Sequence, residues 1–228
     1  MRASETWPGF YTALDVARLA QIPSRTLYEW QQRKIIKPSI ELKGDDGKTI
    51  PGYTYADLVL IRILRALRED KIDFSSAAIA IDHLFARLGP PSRGWADAHV
   101  YFRGKRIYAW KPDDWDVTEA TAMGQKVETR AFGDVFPELR RIEEGISIVV
   151  PEEYWGHVDI DPRVKDGQPV VHGTRIPTSA LADLARRPWS PSRIAQAYGI
   201  AVDTVRQVLD YERRLEMASP AAASAAAV

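Results

Sequence analysis

The sequence predicts a mainly α protein with small β elements, an α+β chain in three segments. Three observations predict it. Apolar residues recur at three- and four-residue steps in several separate stretches, which marks amphipathic helices. Two pairs of these stretches are divided by short turns, one marked by Pro23 and one by Gly199. Even-spaced runs around glycine turns, the mark of short hairpins, are confined to a few places such as 36–55 and 100–110.

The elements follow in order. Thr12 is placed to N-cap a first helix that buries Leu14, Val16, Ala17 and Ala20, because its hydroxyl can accept from an orphaned backbone N–H. Residues 19–22 close that helix into a turn. Pro23-Ser24 opens a second helix, with proline where its missing donor does no harm. Leu27 and Trp30 lie three apart and face the core, while Arg25, Tyr28, Glu29 and Gln32 share the outward face. Such a face suits the edges of bases, since arginine can fork onto guanine and glutamine can pair with adenine. Arg33, Lys34 and Lys37 follow and suit phosphates, which hold register without reading sequence. Residues 36–42 read as a strand, and Gly44-Asp45-Asp46-Gly47 as a turn flanked by Lys43 and Lys48, the tip of a wing. Tyr53 and Tyr55 lead back into a helix over 56–68 built on Leu58, Ile61, Leu64 and Leu67.

A further helix over 75–88 is expected to use Ile79, Leu84, Phe85 and Leu88, and residues 89–94 read as a linker. Residues 100–110 form a hairpin around Arg103-Gly104-Lys105-Arg106, with strands over 127–132 and 146–150 and a helix over 136–144. The aromatics Trp95, Tyr101, Phe102, Tyr108, Trp110 and Trp115 are read as core or subunit interface in preference to a nucleotide-stacking platform. Towards the C-terminus, turns at Asp161-Pro162, 165–167 and 172–175 surround a short strand at 169–171. A helix runs over 178–186. Ser190-Pro191 opens another over Ile194, Ala195 and Tyr198, which Gly199 ends. The last helix, 202–215, buries Val205, Val208, Leu209 and Leu215, and the spacing is again helix-turn-helix.

Composition narrows the function. The chain of 228 residues is 45% hydrophobic and 27% charged, as expected for a globular protein of about two domains. No apolar run is long enough to span a bilayer, and the N-terminus lacks a charged-then-apolar leader pattern. Cysteine is absent, which removes disulfides and thiolate metal sites and suits a cytoplasmic location. Net charge is zero, yet residues 24–37 carry four cations against Glu29 alone, the local basic surface that a duplex requires. His83, His99, His157 and His172 have no metal-binding spacing, and His172 is read as a structural residue of its turn. Asp159, Asp161 and Asp166 belong to turns, and Asp113, Asp114 and Asp116 to an acidic loop. The glycines form no phosphate-binding pattern. No catalytic residue, metal site or cofactor is expected, and the protein is expected not to be an enzyme.

Two resemblances add to this reading. The order Tyr11-Thr12, Val16-Ala17, Arg25-Thr26-Leu27, Trp30, Ile36-Lys37-Pro38, Gly52-Tyr53 and Tyr55 resembles the N-terminal winged helix-turn-helix domain of the MerR family. The resemblance implies base or backbone contacts for Arg25, Tyr28 and Glu29, and phosphate contacts for Tyr53, Lys43 and Lys48. With Thr12, Ser24, Gln32, Arg33, Lys34 and Lys37, these make up the candidate DNA-binding set. The metal-binding cysteines and long dimerising helix of the MerR metal sensors are missing, so no effector-sensing activator is inferred.

The run of 157–215, with Gly167-Gln168-Pro169-Val170-Val171-His172-Gly173-Thr174-Arg175-Ile176-Pro177 at its centre, resembles a small bacterial domain often encoded beside PIN-like ribonuclease toxins. Together the two resemble a VapB-type antitoxin. That resemblance implies a homodimer that represses its own operator and neutralises a PIN-domain toxin. Arg186, Arg187, Arg213 and Arg214 are the candidate donors to the toxin's carboxylates. The alternative is a stand-alone MerR-like regulator or excision factor without a toxin partner. The expected domains are 1–89 (winged helix-turn-helix), 95–150 (β-rich middle and dimerisation unit) and 157–216 (second helix-turn-helix). A disordered tail is expected over 217–228.

Overall fold

The computed structural model describes residues 9–43, 47–89, 93–109, 127–135 and 149–217. It is mainly α with small β-sheets. Contacts gather the chain into two compact units, one over 59–148 and one joining the described residues up to Leu58 with those from Val149 onward.

The second unit begins with the helix-turn-helix. α1 (Ala13–Leu19) starts in a capping box: Thr12 Oγ1 accepts from the Asp15 amide, and Asp15 Oδ2 accepts from the Thr12 amide. Val16, Ala17, Leu19 and Ala20 are buried, but Leu14 is 55% exposed. It lies two residues, about 200° of helical turn, from Val16 and so faces solvent. Gln21 takes a left-handed backbone that turns the chain into α2 (Ser24–Gln32). The expected strand at 36–42 is shorter. Lys34 ends α2 with a left-handed backbone, Ile36 is buried, and pairing starts only at Ile40, beyond Pro38, which has no N–H to donate. β1 (Ile40–Lys43) and β2 (Thr49–Gly52) pair antiparallel from Ile40 opposite Gly52 to Lys43 opposite Thr49. Asp57 fastens this wing to the helix behind it. Its carboxylate accepts from the Ser39 hydroxyl at 2.8 Å and the Thr54 amide at 2.8 Å.

The same unit is completed by residues 149–217. A 3-10 turn (Glu152–Tyr154) buries Tyr154 edge-on against Tyr211, with centroids 5.2 Å apart. β6 (Val158–Asp159) pairs with β7 (Val170–Val171). Two of the three helices that follow, numbered as they fall in the chain, are α7 (Thr178–Arg186) and α8 (Pro191–Tyr198). Ser190 caps α8 through the Arg193 amide, Pro191 occupies its first position, and Gly199 ends it at φ 66°. The last, α9 (Val202–Met217), buries Val205, Val208, Tyr211, Glu212 and Leu215. Tyr198 is 38% exposed, contrary to expectation, because Ile194 and Ala195 already define the inner face of α8.

α3 (Tyr55–Glu69) carries the division between units at Leu58 and Val59, and its expected apolar stripe is buried. The first unit continues with α4 (Phe74–Leu88), α5 (Arg93–Asp97), the sheet β4-β3-β5 and the short α6 (Phe132–Val135). β3 (His99–Arg103) pairs with β4 (Arg106–Tyr108) as the expected hairpin, and with β5 (Val127–Ala131) on its other side. The apolar face of α4 is corrected. Ala77, Ala80, Ile81 and Leu84 are buried, whereas Ile79, Phe85 and Leu88 are 57%, 40% and 39% exposed. The small residues let α4 pack on β4, where Ser76 Oγ accepts from the Ile107 amide. Arg93 and Gly94 open α5 and are not linker, and Trp95 is buried with Nε1 donating to the Gly89 carbonyl at 3.0 Å.

This grouping differs from the expected 1–89 domain, since α4 belongs with the hairpin it packs on and the first helices with the C-terminal segment. The expected helix at 136–144, Trp110, the 113–116 loop and the tail from 218 lie outside the described residues. Val149 and Val150, at the end of the expected strand, are buried in a turn.

Candidate nucleic-acid interface

The outward face of α2 is built as its spacing requires. Leu27 and Trp30 are 2% and 3% exposed and fix the helix from beneath. Tyr28 is 59% exposed, and Gln32, Arg33, Lys34 and Lys37 are exposed beside it. The Arg25 side chain is 88% exposed, and its Nε donates to Glu29 Oε1 at 2.9 Å, one turn along the same face. An exposed pair of this kind is weak and can open when a stronger acceptor arrives. Pro23 stands at the N-cap, and among the described residues no side chain makes a capping hydrogen bond at the positive end of α2. Lys43, at the end of β1, and Lys48, just before β2, are exposed. The exposed candidate contacts thus include four cations on or just beyond α2 and two at the wing.

Three members of the candidate set are placed otherwise. Tyr53 is fully buried and forms a bridge with Tyr11, and Gln31 Nε2 donates to its hydroxyl. Burial, with the Asp57 charge adding to it, pushes the phenol up to about 12. It is a structural strut of the wing, because the pleat that returns the chain to α3 turns this ring inward. The Ser24 hydroxyl is buried without a partner among the described residues, so it is neither cap nor exposed donor. Thr12 is exposed, but its hydroxyl is committed to Asp15.

The four candidate arginines of the C-terminal segment are all exposed. Arg186 pairs with Asp183 and Glu216, Arg213 with Asp210 at 2.9 Å, and Arg214 with Glu153. Arg187 alone of the four has no carboxylate partner among the described residues. His172 takes the structural part expected of it: Nδ1 lies 2.9 Å from Asp159 Oδ1, while Asp159 Oδ2 accepts from the Gly173 amide at 2.9 Å.

The sequence reading missed how the helix-turn-helix is held. Tyr11 is 3% exposed, and its hydroxyl donates to the Gly167 carbonyl at 2.9 Å. The Phe10 amide donates to the Asp166 carbonyl at 3.3 Å. Glu212, also 3% exposed, accepts from the Thr178 hydroxyl and faces Arg18 of α1. A signal for Glu212 was present. It stands four residues after Val208 and three before Leu215, on the buried stripe of its helix.

Comparison with known proteins adds fold information. Residues 158–211 match a family described as a protein of unknown function, DUF433. The match falls inside the 157–216 segment. The crystal structure of Rv2018 from Mycobacterium tuberculosis is similar to this chain with a TM-score of 0.57 at 17% identity, covering 88% of this chain and 96% of that one. At that identity the likeness is one of fold. No curated protein matches the sequence.

Proposed function

We propose that the protein is a non-enzymatic, cytoplasmic antitoxin. It binds its own operator through α2 and the wing as a homodimeric repressor, and it neutralises a PIN-domain ribonuclease through its C-terminal segment. The observation that carries the DNA arm is the solvent-facing set of Arg25, Tyr28 and Gln32 on a helix anchored by Leu27 and Trp30, with Arg33, Lys34 and Lys37 exposed just beyond its end. Lysine and arginine on such a surface release counterions from the duplex, and the α2 side chains reach base edges. The toxin arm rests on the resemblance of 157–215, with Arg187 the arginine best disposed to meet a foreign carboxylate.

Gel-shift titration with the upstream promoter at two salt concentrations tests the first arm. Absence of a shift at low salt refutes it. Co-purification with the product of the adjacent gene tests the second. A stand-alone regulator is the second reading, favoured by the ion pairs that already occupy Arg186, Arg213 and Arg214. On that reading the DNA shift occurs and no nuclease co-purifies.

A further inference from the structure

A cavity of about 150 Å³ opens between α1 and the C-terminal segment, bordered by Asp15, Arg18, Gln168, Thr178, Ser179 and Glu212. Its deepest charge is Glu212, whose Oε1 accepts from the Thr178 hydroxyl. Oε2 has only Arg18 Nη1 before it among the described residues, at 3.9 Å, beyond hydrogen-bond reach. Oε2 keeps access to the cavity, where water hydrates it until a ligand's donor takes that place. The Arg18 side chain is 29% exposed, and the guanidinium offers five N–H donors with no other acceptor among the described residues. The cavity thus sets an anion short of donors beside a cation short of acceptors. Asp15 adds negative charge on the same wall, though its Oδ2 is committed to Thr12.

A simple anion would face two carboxylates, and a simple cation would face Arg18. A molecule carrying both charges on a short frame satisfies both sides. At ~30 Å³ for each water displaced, the volume admits a frame of about five or six non-hydrogen atoms. We propose that this cavity binds a small zwitterionic α-amino acid of the size of glycine or alanine. Its ammonium donates to Glu212 Oε2, its carboxylate accepts from Arg18, and a methyl group has the apolar wall of Leu19 and Pro169 to rest on.

The test is isothermal titration calorimetry of the full chain with glycine and L-alanine, and with ethylamine and propionate, each of which carries one of the two charges. The expected result is saturable one-site binding of the amino acids alone. Arg18→Met and Glu212→Gln each weaken it by about tenfold or more, the effect of losing one charge-assisted hydrogen bond. Ser179→Phe, substituted at an exposed position on the rim, blocks the cavity and abolishes binding without shifting the melting temperature. Absence of saturable binding by both amino acids overturns the proposal. So does equal binding of ethylamine or propionate, or unchanged affinity in the Ser179→Phe protein. The measurement requires neither DNA nor toxin, so its failure leaves the operator reading standing.

Discussion

Replacing Gly167 by alanine removes the tie between the helix-turn-helix and the C-terminal segment through a single methyl group. Gly167 has φ +86°, and a Cβ built there would stand 1.9 Å from the Tyr11 hydroxyl oxygen and 2.7 Å from the ring carbon bearing it. Two costs combine. The left-handed backbone costs an alanine about 1–2 kcal/mol. The displaced Tyr11 hydroxyl loses its carbonyl partner in a buried setting, which costs about 1–3 kcal/mol. Gly173 provides the matched control, with φ +68° and nothing within 4 Å of a built Cβ, so Gly173→Ala pays the backbone cost alone. Urea denaturation followed by circular dichroism should place Gly167→Ala at least about 1 kcal/mol below Gly173→Ala. The gap corresponds to about 2–4 °C in melting temperature per kcal/mol for a chain of this size. Tyr11→Phe, which deletes the hydroxyl and leaves the ring, should cost about 1 kcal/mol. Equal stability of the two alanine variants would refute the Tyr11–Gly167 tie.

Other outcomes follow from the same structure. Charge reversal at Arg25 and Lys37 to glutamate should abolish the promoter shift at moderate salt. Neutralising Lys37 alone should reduce the slope of log affinity against log salt by about one, as expected for a lost phosphate contact. Ser190→Ala removes the N-cap of α8 and should cost about 1 kcal/mol by denaturant titration. Hydrogen bonds from Arg163 hold the Asp161 carboxyl below the usual carboxylate range. Asp161 therefore releases its proton more readily folded than unfolded, so its contribution is present above the unfolded value of about 4 and fades as pH falls through the lower, folded one. The stability difference between the native protein and Arg163→Ala, measured from pH 6 to 2, should narrow on the acid side. A constant difference would contradict the pairing.

Local patterns in the sequence were legible where one face of one element decides the outcome. Thr178–Arg186 appears where its spacing puts it, and the Ser190, Pro191 and Gly199 signals of α8 where capping chemistry puts them. Leu27 and Trp30 are buried while Arg25, Tyr28 and Gln32 face out, because three- and four-residue spacing alone sorts them. Reading failed where a distant segment sets the face. Leucine, isoleucine and phenylalanine marked the expected inner side of α4, but close packing on β4 selects alanines, so Ile79 and Phe85 face out. Tyr53 read as a surface tyrosine because nothing near it in sequence reveals the Gln31 bond to its hydroxyl or its backbone bridge to Tyr11. Glu212 drew no separate reading, since its partners come from residues 178 and 18.

The Tyr11–Gly167 bond spans 156 positions of chain, and the Arg18–Glu212 pair spans more. Such contacts repay the entropy of closing a long loop only after almost everything between them has been synthesised. On the ribosome, α1 and α2 emerge early and wait with the Tyr11 side uncovered until the segment around Gly167 has cleared the exit tunnel. Connectivity of this kind slows folding and leaves that waiting surface open to aggregation or chaperone capture. Fragments cut from the amino end for biochemical work would inherit the same bare flank.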